Sequence, residues 1–207
     1  MVENNCMLYG WFNYLQEYVG ATNEELDYLK CFHDLKSKQQ VSSVMTDERD
    51  DGPSMIIDNF LYHGDFNHGR NVGLLRKLNI QHIINVSNFK VKKEILMNFN
   101  VLWIDLHDTP LTDIREHFDQ TNEFLNTCRS KNEKVLVHCQ MGVSRSASIV
   151  LAYLLKYHHH NLHDAYDHLL ERRQVSEPND GFFIQLIRYE KELSAHNPNH
   201  TDSIGDI

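Results

Sequence analysis

The chain has 207 residues, of which 41% are apolar, enough for one core of ordinary domain size with a smaller extension. A formal net charge of −9, no basic stripe, and apolar stretches too short to cross a bilayer argue against nucleic-acid binding and membrane insertion. The start does not resemble a targeting signal, and the four cysteines lack the spacing of a disulfide framework, so we expect an intracellular protein, cytoplasmic or nuclear.

Residues 1–51 are predicted to form a helical extension and a linker. Apolar residues recur at helical spacing, and Gly20 suits the position just after the end of that first helix. Thr22 and Glu25 form a capping box for a second helix, which we expect to give way to a polar loop over 36–51. The apolar faces of both helices need a partner surface. They either dock on the rest of the chain as an extra layer or serve as a lid, an autoinhibitory segment or a dimer contact.

From residue 52 onward the pattern becomes that of an α/β fold. Short apolar runs predict about five strands, over 55–57, 60–62, 80–86, 101–106 and 135–137. Longer periodic segments predict helices over 114–128, 147–157, 162–172 and 181–193, with a further helix that ends near Asn79. Residues 196–207 are predicted to be a polar tail. The expected organisation is therefore a sheet flanked by helices and preceded by a helical extension.

The segment 135–155 is predicted to fold as a buried strand, a short loop and a long apolar helix. The loop contains Cys139, Gly142 and Arg145. A loop that enters a helix N-terminus directs unpaired backbone N–H groups at one point, and an arginine can hold two phosphate oxygens at once. The same positive environment favours the thiolate form of the cysteine. These residue types therefore predict a phosphate site with a nucleophilic thiolate, whereas a buried structural cysteine in an α/β turn is the plain alternative.

The loop resembles the signature of the cysteine-dependent protein phosphatases. The residues that carry this resemblance are His138, Cys139, Gly142, Arg145 and Ser146. The ending over 143–147 is similar to the dual-specificity branch of the family, in particular the MAP-kinase and Slingshot-type phosphatases. The resemblance extends from about residue 53 to 193. It implies a mixed sheet, a catalytic domain over 52–195, phosphorylated protein substrates and a reaction that needs neither a metal nor another cofactor.

The resemblance also implies a role for each residue of the loop. Cys139 would attack phosphorus, and Ser146 would stabilise the thiolate that departs when the phosphocysteine is hydrolysed. The phosphate would be bound by the residues that follow the cysteine, namely Gln140, Met141, Gly142, Val143, Ser144 and Arg145. His138 either orients the loop through a hydrogen bond or is an ordinary core histidine.

Such a mechanism also requires an acid that protonates the leaving oxygen, and three aspartates are candidates. Asp105 falls within a strand pattern, where a structural hydrogen bond is expected. Asp113, with Glu116, forms a helix cap. Asp108 follows the strand on a loop that could place its carboxyl group over the anion site, where the acid loop of the family also lies. We therefore predict that Asp108 is the acid, although an ordinary surface turn residue is the alternative.

The function predicted from the sequence is hydrolysis of phosphotyrosine, phosphoserine and phosphothreonine in proteins. No long insertion separates Pro53 from Asp108, so the site is expected to lack the loop that deepens the cleft of strict tyrosine phosphatases. Two alternatives remain: a catalytically weak phosphoprotein-binding module, and a phosphatase for lipid or RNA phosphates. The uncharged side chains of Gln140, Met141 and Val143 give the second alternative little support.

Overall fold

The structure is a computed structural model that describes residues 10–42 and 52–196. The predicted tail beyond residue 196 and the part of the predicted linker over 43–51 lie outside the described residues. So does Leu8, one of the apolar residues that recur at helical spacing in the first predicted helix. None of the helices within the described ranges is both long and apolar enough to cross a membrane.

A five-stranded mixed sheet forms the centre of the fold. Its strands are β1 (Ser54–Ile57), β2 (Leu61–Gly64), β3 (Ile80–Val86), β4 (Asn100–Ile104) and β5 (Lys134–His138). They lie in the order β1-β2-β5-β3-β4, with β1 antiparallel to β2 and all other neighbours parallel. The predicted mixed sheet is confirmed. Because β5 is flanked on both sides, its apolar run is completely buried, as is typical of central parallel strands.

Helices cover both faces of this sheet. They are α1 (Asn23–Ser42), α2 (Phe66–Gly69), α3 (Val72–Lys77), α4 (Lys93–Asn98), α5 (Phe118–Ser130), α6 (Arg145–Tyr157), α7 (Leu162–Arg172) and α8 (Asp180–His196). Helix α6 is buried from Arg145 to Leu155 and packs against β5, α5, α7 and α8. The opposite face of the sheet is covered by a smaller cluster that includes Leu75 of α3 and Ile95 of α4. The side chains of β5 alternate between these two clusters, with Val135 and Val137 in the larger one and Leu136 in the smaller one, which is the period of a strand.

The N-terminal helices pack on α7 and α8, which corresponds to the first of the two expectations for them. A helical segment over 10–14 continues as a π-helical turn, Leu15–Val19, and α1 follows. The predicted capping box is present: Glu25 N donates to Thr22 Oγ1 at 3.2 Å, and Thr22 N donates to Glu25 Oε2 at 2.9 Å. Phe32 of α1 is fully buried and stacks on Phe183 of α8 with ring centroids 4.9 Å apart. The extension therefore contributes to the main core.

Helix α1 is longer than the sequence indicated. The loop predicted from residue 36 onward is helical through Ser42, so that prediction is wrong over 36–42. The cause is tertiary: Lys36 is 7% exposed, and its ammonium group donates to the backbone oxygens of Gln174 and Ser176, the latter at 3.1 Å. The stretch contains neither glycine nor proline, so nothing in it opposes a helix that this contact anchors.

Several boundaries in the remainder of the chain also differ from the prediction. The strand expected over 60–62 runs from Leu61 to Gly64, and the strand expected over 101–106 is Asn100–Ile104. Helices α2 and α4, of four and six residues, were not predicted, because such short segments seldom show a clear period. The helix expected from residue 114 begins with a 3₁₀ turn, Arg115–His117, and the Glu116 N–H donates to Asp113 at 3.3 Å as the predicted cap requires.

Candidate active site

The loop between β5 and α6 curls around the sulfur of Cys139. Gly142 has a φ of +65°, a conformation that residues with a Cβ rarely adopt. A Cβ atom there would also lie 2.5 Å from the backbone oxygen of Gly64 and 2.6 Å from Arg173 Nη2. Glycine is therefore required at this position both by the backbone conformation and by the space available.

Two donors point at the Cys139 sulfur, whose residue is 1% exposed. The backbone N–H of Gly142 and the hydroxyl of Ser146 each donate to Sγ at 3.2 Å. Both residues belong to the turn that leads into α6 or to its first turn, where backbone donors are unpaired within the helix. Hydrogen bonds to a sulfur from two sides stabilise its anionic form, so this arrangement suits a thiolate.

Arg145 lies almost completely inside the protein, with 5% exposure. Its Nη1 donates to the backbone oxygen of Leu106 at 3.0 Å, which fixes the plane of the guanidinium group. Its Nε lies 3.4 Å from Asp108 Oδ2 but makes no hydrogen bond. A buried guanidinium group with an unpaired N–H can bind an oxygen of an anion.

Asp108 lies beside this arginine, on the loop that follows β4. Its Oδ1 accepts hydrogen bonds from Ser144 Oγ at 2.7 Å and from Asn179 Nδ2 at 2.8 Å. Its side chain is 32% exposed, so the carboxyl group is held in place yet reaches the surface. Of the three aspartates weighed from the sequence, Asp113 forms its helix cap, and Asp108 is the one that the structure places against Arg145.

The segment 173–180, here called the supporting loop, holds both of these loops. Arg173 Nε donates to Gly142 O at 3.0 Å, and the Glu177 N–H donates to Val143 O at 2.8 Å. Asn179 bonds Ser144 through its backbone at 3.0 Å in addition to its bond with Asp108. Burial lowers the pKa of Arg173, whereas the nearby Cys139 acts in the opposite direction. The sequence gave no sign of Arg173, because an isolated arginine near a helix end is usually a surface residue.

The remaining predicted residues also surround the loop. Met141 is 68% exposed and Gln140 is exposed, so these two side chains lie at the mouth of the site. His138 is buried, its Nδ1 lies 3.1 Å from Cys139 O, and burial lowers its pKa to about 4, so it is neutral at pH 7. His138 is therefore a core residue, and a role in orienting the loop stays a prediction.

Metal ligands are not gathered at the site. Among the described residues, no group of three or more histidine, cysteine, aspartate or glutamate side chains is arranged to hold a metal ion. His158, which begins a run of three histidines, is 3% exposed and pairs with Arg129 Nη1 at 2.6 Å. That run is therefore buried at its first position.

Comparisons with known proteins agree with this geometry. The family model of the dual specificity phosphatase catalytic domain matches residues 61–192. Human dual specificity protein phosphatase 5 is 37% identical over 148 residues, which cover 72% of this chain and 38% of the relative. The protein phosphatase Slingshot homolog of Xenopus laevis is 37% identical over 155 residues, which cover 73% of this chain and 22% of the relative. The chain therefore matches well under half the length of these relatives.

Solved structures show the same likeness. The crystal structure of the human tyrosine phosphatase-like serine/threonine/tyrosine-interacting protein has a TM-score of 0.64 and 32% sequence identity, and the match covers 68% of this chain and 97% of that one. The family model extends over more than half of the chain, from β2 to α8, and includes the loop around Cys139. The chain belongs to the family of dual specificity phosphatase catalytic domains.

Proposed function

We propose that the protein hydrolyses phosphotyrosine, phosphoserine and phosphothreonine in proteins through a phosphocysteine intermediate. One observation carries this proposal: a buried sulfur that accepts two hydrogen bonds lies in the same loop as a guanidinium group with an unpaired N–H, next to a carboxyl group that reaches the surface. Nucleophile, anion-binding group and proton donor are the three parts that phosphoryl transfer to a cysteine needs.

In the first step the Cys139 thiolate attacks phosphorus, and the bond from phosphorus to the leaving oxygen breaks. Asp108 gives its proton to that oxygen, which would otherwise leave as a poor alkoxide or phenoxide. Arg145 and the backbone N–H groups of 140–145 stabilise the negative charge on the equatorial oxygens. The products of this step are a phosphocysteine and the free hydroxyl group of the substrate.

In the second step a water molecule attacks the phosphocysteine, and Asp108 accepts the water's proton. The phosphorus–sulfur bond breaks, and the sulfur departs as a thiolate that the Ser146 hydroxyl stabilises. The position of Asp108 supports both proton transfers, because Ser144 and Asn179 hold Oδ1 while Oδ2 faces Arg145. A carboxyl group fixed in this way loses little freedom when the substrate binds.

Protein substrates fit the site better than lipid or RNA phosphates. The side chains at the mouth, Gln140 and Met141, carry no charge, so several additional phosphate groups on one ligand would gain little binding. We further propose that residues 52–195 form the catalytic domain and that residues 1–51 are its extension. An intracellular location fits the free thiols of Cys31, Cys128 and Cys139.

The test is a substrate panel for the full chain and its Cys139→Ser variant. A serine hydroxyl stays protonated at neutral pH where a thiol ionises, so the variant should lose turnover of an aryl phosphate while it keeps its fold and its binding of a tetrahedral oxyanion such as tungstate. The wild-type protein should hydrolyse both phosphotyrosine and phosphothreonine peptides.

Three outcomes would contradict the proposal. Retained activity of Cys139→Ser would show that Cys139 is not the nucleophile. A preference for a phosphoinositide or an RNA 5′-triphosphate over every peptide would change the substrate class. Tight phosphopeptide binding without turnover by the wild-type chain would make it a binding module instead of an enzyme.

A further inference from the structure

A buried histidine contacts the serine that donates to the Cys139 sulfur. His63 of β2 is 0% exposed, and its Nε2 lies 2.8 Å from Ser146 Oγ. Its Nδ1 lies 3.5 Å from the hydroxyl of Ser176, a fully buried residue of the supporting loop. Cys139, Ser146, His63 and Ser176 thus form one continuous series of polar contacts, which we call the histidine relay. The sequence gave no sign of it.

The imidazole of His63 is neutral. Complete burial lowers its pKa well below the usual value, because the charged form would lose its hydration, and Arg173 and His138 act in the same direction. A neutral imidazole has one nitrogen that donates and one that accepts. The state of the relay therefore depends on which nitrogen carries the proton.

The single proton of the Ser146 hydroxyl decides this question. It can form a hydrogen bond either with the Cys139 sulfur or with an unprotonated Nε2 of His63. A hydrogen bond to an anionic acceptor is roughly twice as strong as one between neutral groups, so the Ser146 hydroxyl donates its hydrogen bond to the thiolate. Ser146 Oγ must then accept from His63 Nε2–H, and Nδ1 must accept from the hydroxyl of Ser176. In this arrangement every member of the relay has a partner.

We propose that His63 is a positioning residue that directs the Ser146 proton at the sulfur while the phosphocysteine is hydrolysed. The inference rests on the mechanism proposed above. In that step the water oxygen bonds to phosphorus, the phosphorus–sulfur bond breaks, and the electron pair of that bond stays on sulfur. Asp108 takes the proton of the water. A hydroxyl group already aimed at the sulfur needs no reorientation as the negative charge develops there.

Two matched variants test whether Nε2–H of His63 is the donor to Ser146 Oγ. In His63→Gln the amide nitrogen can reach the position of Nε2, whereas the shorter side chain of His63→Asn places its amide near Nδ1 and leaves Ser146 without the donor. With p-nitrophenyl phosphate, stopped-flow kinetics separate the burst that forms the phosphocysteine from the steady state that hydrolyses it. His63→Asn should lower the steady-state rate roughly tenfold and leave the burst rate within about twofold, because only the second step releases the thiolate. His63→Gln should stay within about threefold of wild type in both phases.

A second background tests whether His63 acts through Ser146. In Ser146→Ala the relay is already broken, so adding His63→Asn should cause no further loss in the steady state. A further loss there, or an equal loss of burst and steady state in His63→Asn, would make His63 a packing residue and overturn the inference. Should His63→Asn not fold, Ser176→Ala removes only the far end of the relay and should lower the steady-state rate about two- to threefold. No change in that variant would count against the relay.

A measurement without turnover separates this inference from the proposed function. The rate at which iodoacetamide alkylates Cys139 follows the thiolate fraction. The midpoint of its pH dependence should move upward by about half a pH unit to one unit in His63→Asn and not in His63→Gln. A wild-type chain that turns over no phosphate ester would refute the phosphatase proposal, and the alkylation midpoint would still decide the role of His63. Identical midpoints in all three proteins would overturn the relay.

Discussion

Replacement of Asp108 by asparagine separates proton donation from positioning. Asparagine has the same shape, and its carbonyl oxygen can accept the bonds from Ser144 and Asn179 that now measure 2.7 and 2.8 Å. What changes is the atom 3.4 Å from Arg145 Nε, where an amide group replaces a carboxylate oxygen. The variant therefore keeps its loop in place and loses the proton donor together with the ion pair to Arg145.

The expected magnitudes of the two effects are far apart. The carboxyl group is 32% exposed, so loss of its ion pair with Arg145 costs at most about 1 kcal/mol, or about fivefold if all of it were lost from the transition state. Loss of a general acid lowers the rate by about a hundredfold to ten-thousandfold, which corresponds to about 3 to 5 kcal/mol in the barrier. A deficit above a hundredfold on a phosphopeptide would thus exceed what the structural change alone can cause.

The assay compares leaving groups. With Asp108→Asn, kcat/KM should fall at least about a hundredfold on phosphothreonine and phosphotyrosine peptides but less than about tenfold on an aryl phosphate with an acidic phenol. The alkaline limb of the pH profile should flatten on the peptides, because no carboxyl group remains to lose its proton. Asp113→Asn is the matched control, since Asp113 caps Glu116 at 3.3 Å outside the site, and it should leave both activities unchanged. Equal losses on both substrate classes would show that Asp108 positions the loop and does not donate a proton.

Three further predictions concern stability. Phe32→Ala should lower the free energy of unfolding by about 3 to 5 kcal/mol in urea titrations, because Phe32 is fully buried against Phe183, whereas Tyr18→Ala, at a position 58% exposed, should change it by less than about 0.5 kcal/mol. Gly142→Ala should lower the free energy of unfolding by at least about 1 to 2 kcal/mol and abolish most of the activity, because φ is +65° and Gly64 O would lie 2.5 Å from the new methyl group. Gly73→Ala in α3, where the nearest atom is 3.6 Å away, should leave the free energy of unfolding unchanged or raise it slightly. Asp180 raises the pKa of His33 through their hydrogen bond of 2.8 Å, so this contact stabilises the fold below the unfolded pKa of about 6.5 and loses its effect as pH rises through the folded pKa. The difference in unfolding free energy between wild type and His33→Gln should accordingly be larger at pH 5.5 than at pH 8.5, and a pH-independent difference would contradict the assignment.

The parts of the fold that were predicted from the sequence are those whose cause is local. The strand at 135–137 is a short apolar run, the helix after Arg145 is a long one, and the capping box at Thr22 depends on residues three positions apart. Each of these patterns lies within one short segment of the sequence. The same holds for the loop around Cys139, where strand, glycine and arginine lie close together in the sequence.

The parts that were missed depend on neighbours distant in the chain. His63 reaches Ser146 only because β2 lies parallel to β5, with Gly64 opposite His138. Such a register is set by the packing of the whole sheet, and a histidine at the end of an apolar run does not reveal it. Residues 36–42 of α1 are a similar case, since their polar sequence resembles a linker until the carbonyl groups beside Lys36 are known.

The contact of Lys36 with the supporting loop also has a consequence for local opening of the protein. If α1 separated from the domain, the backbone oxygen of Gln174 would lose its bond to the ammonium, while Ser176 O would keep its bond from Tyr166 Oη at 3.1 Å. Two neighbouring positions of the supporting loop, Gln174 and Ser176, would therefore respond differently to one opening event. In hydrogen exchange, amides of α1 should exchange together with the amides next to Gln174, whereas the Glu177 N–H, bonded to Val143 O at 2.8 Å, should stay protected until the active-site loop itself opens.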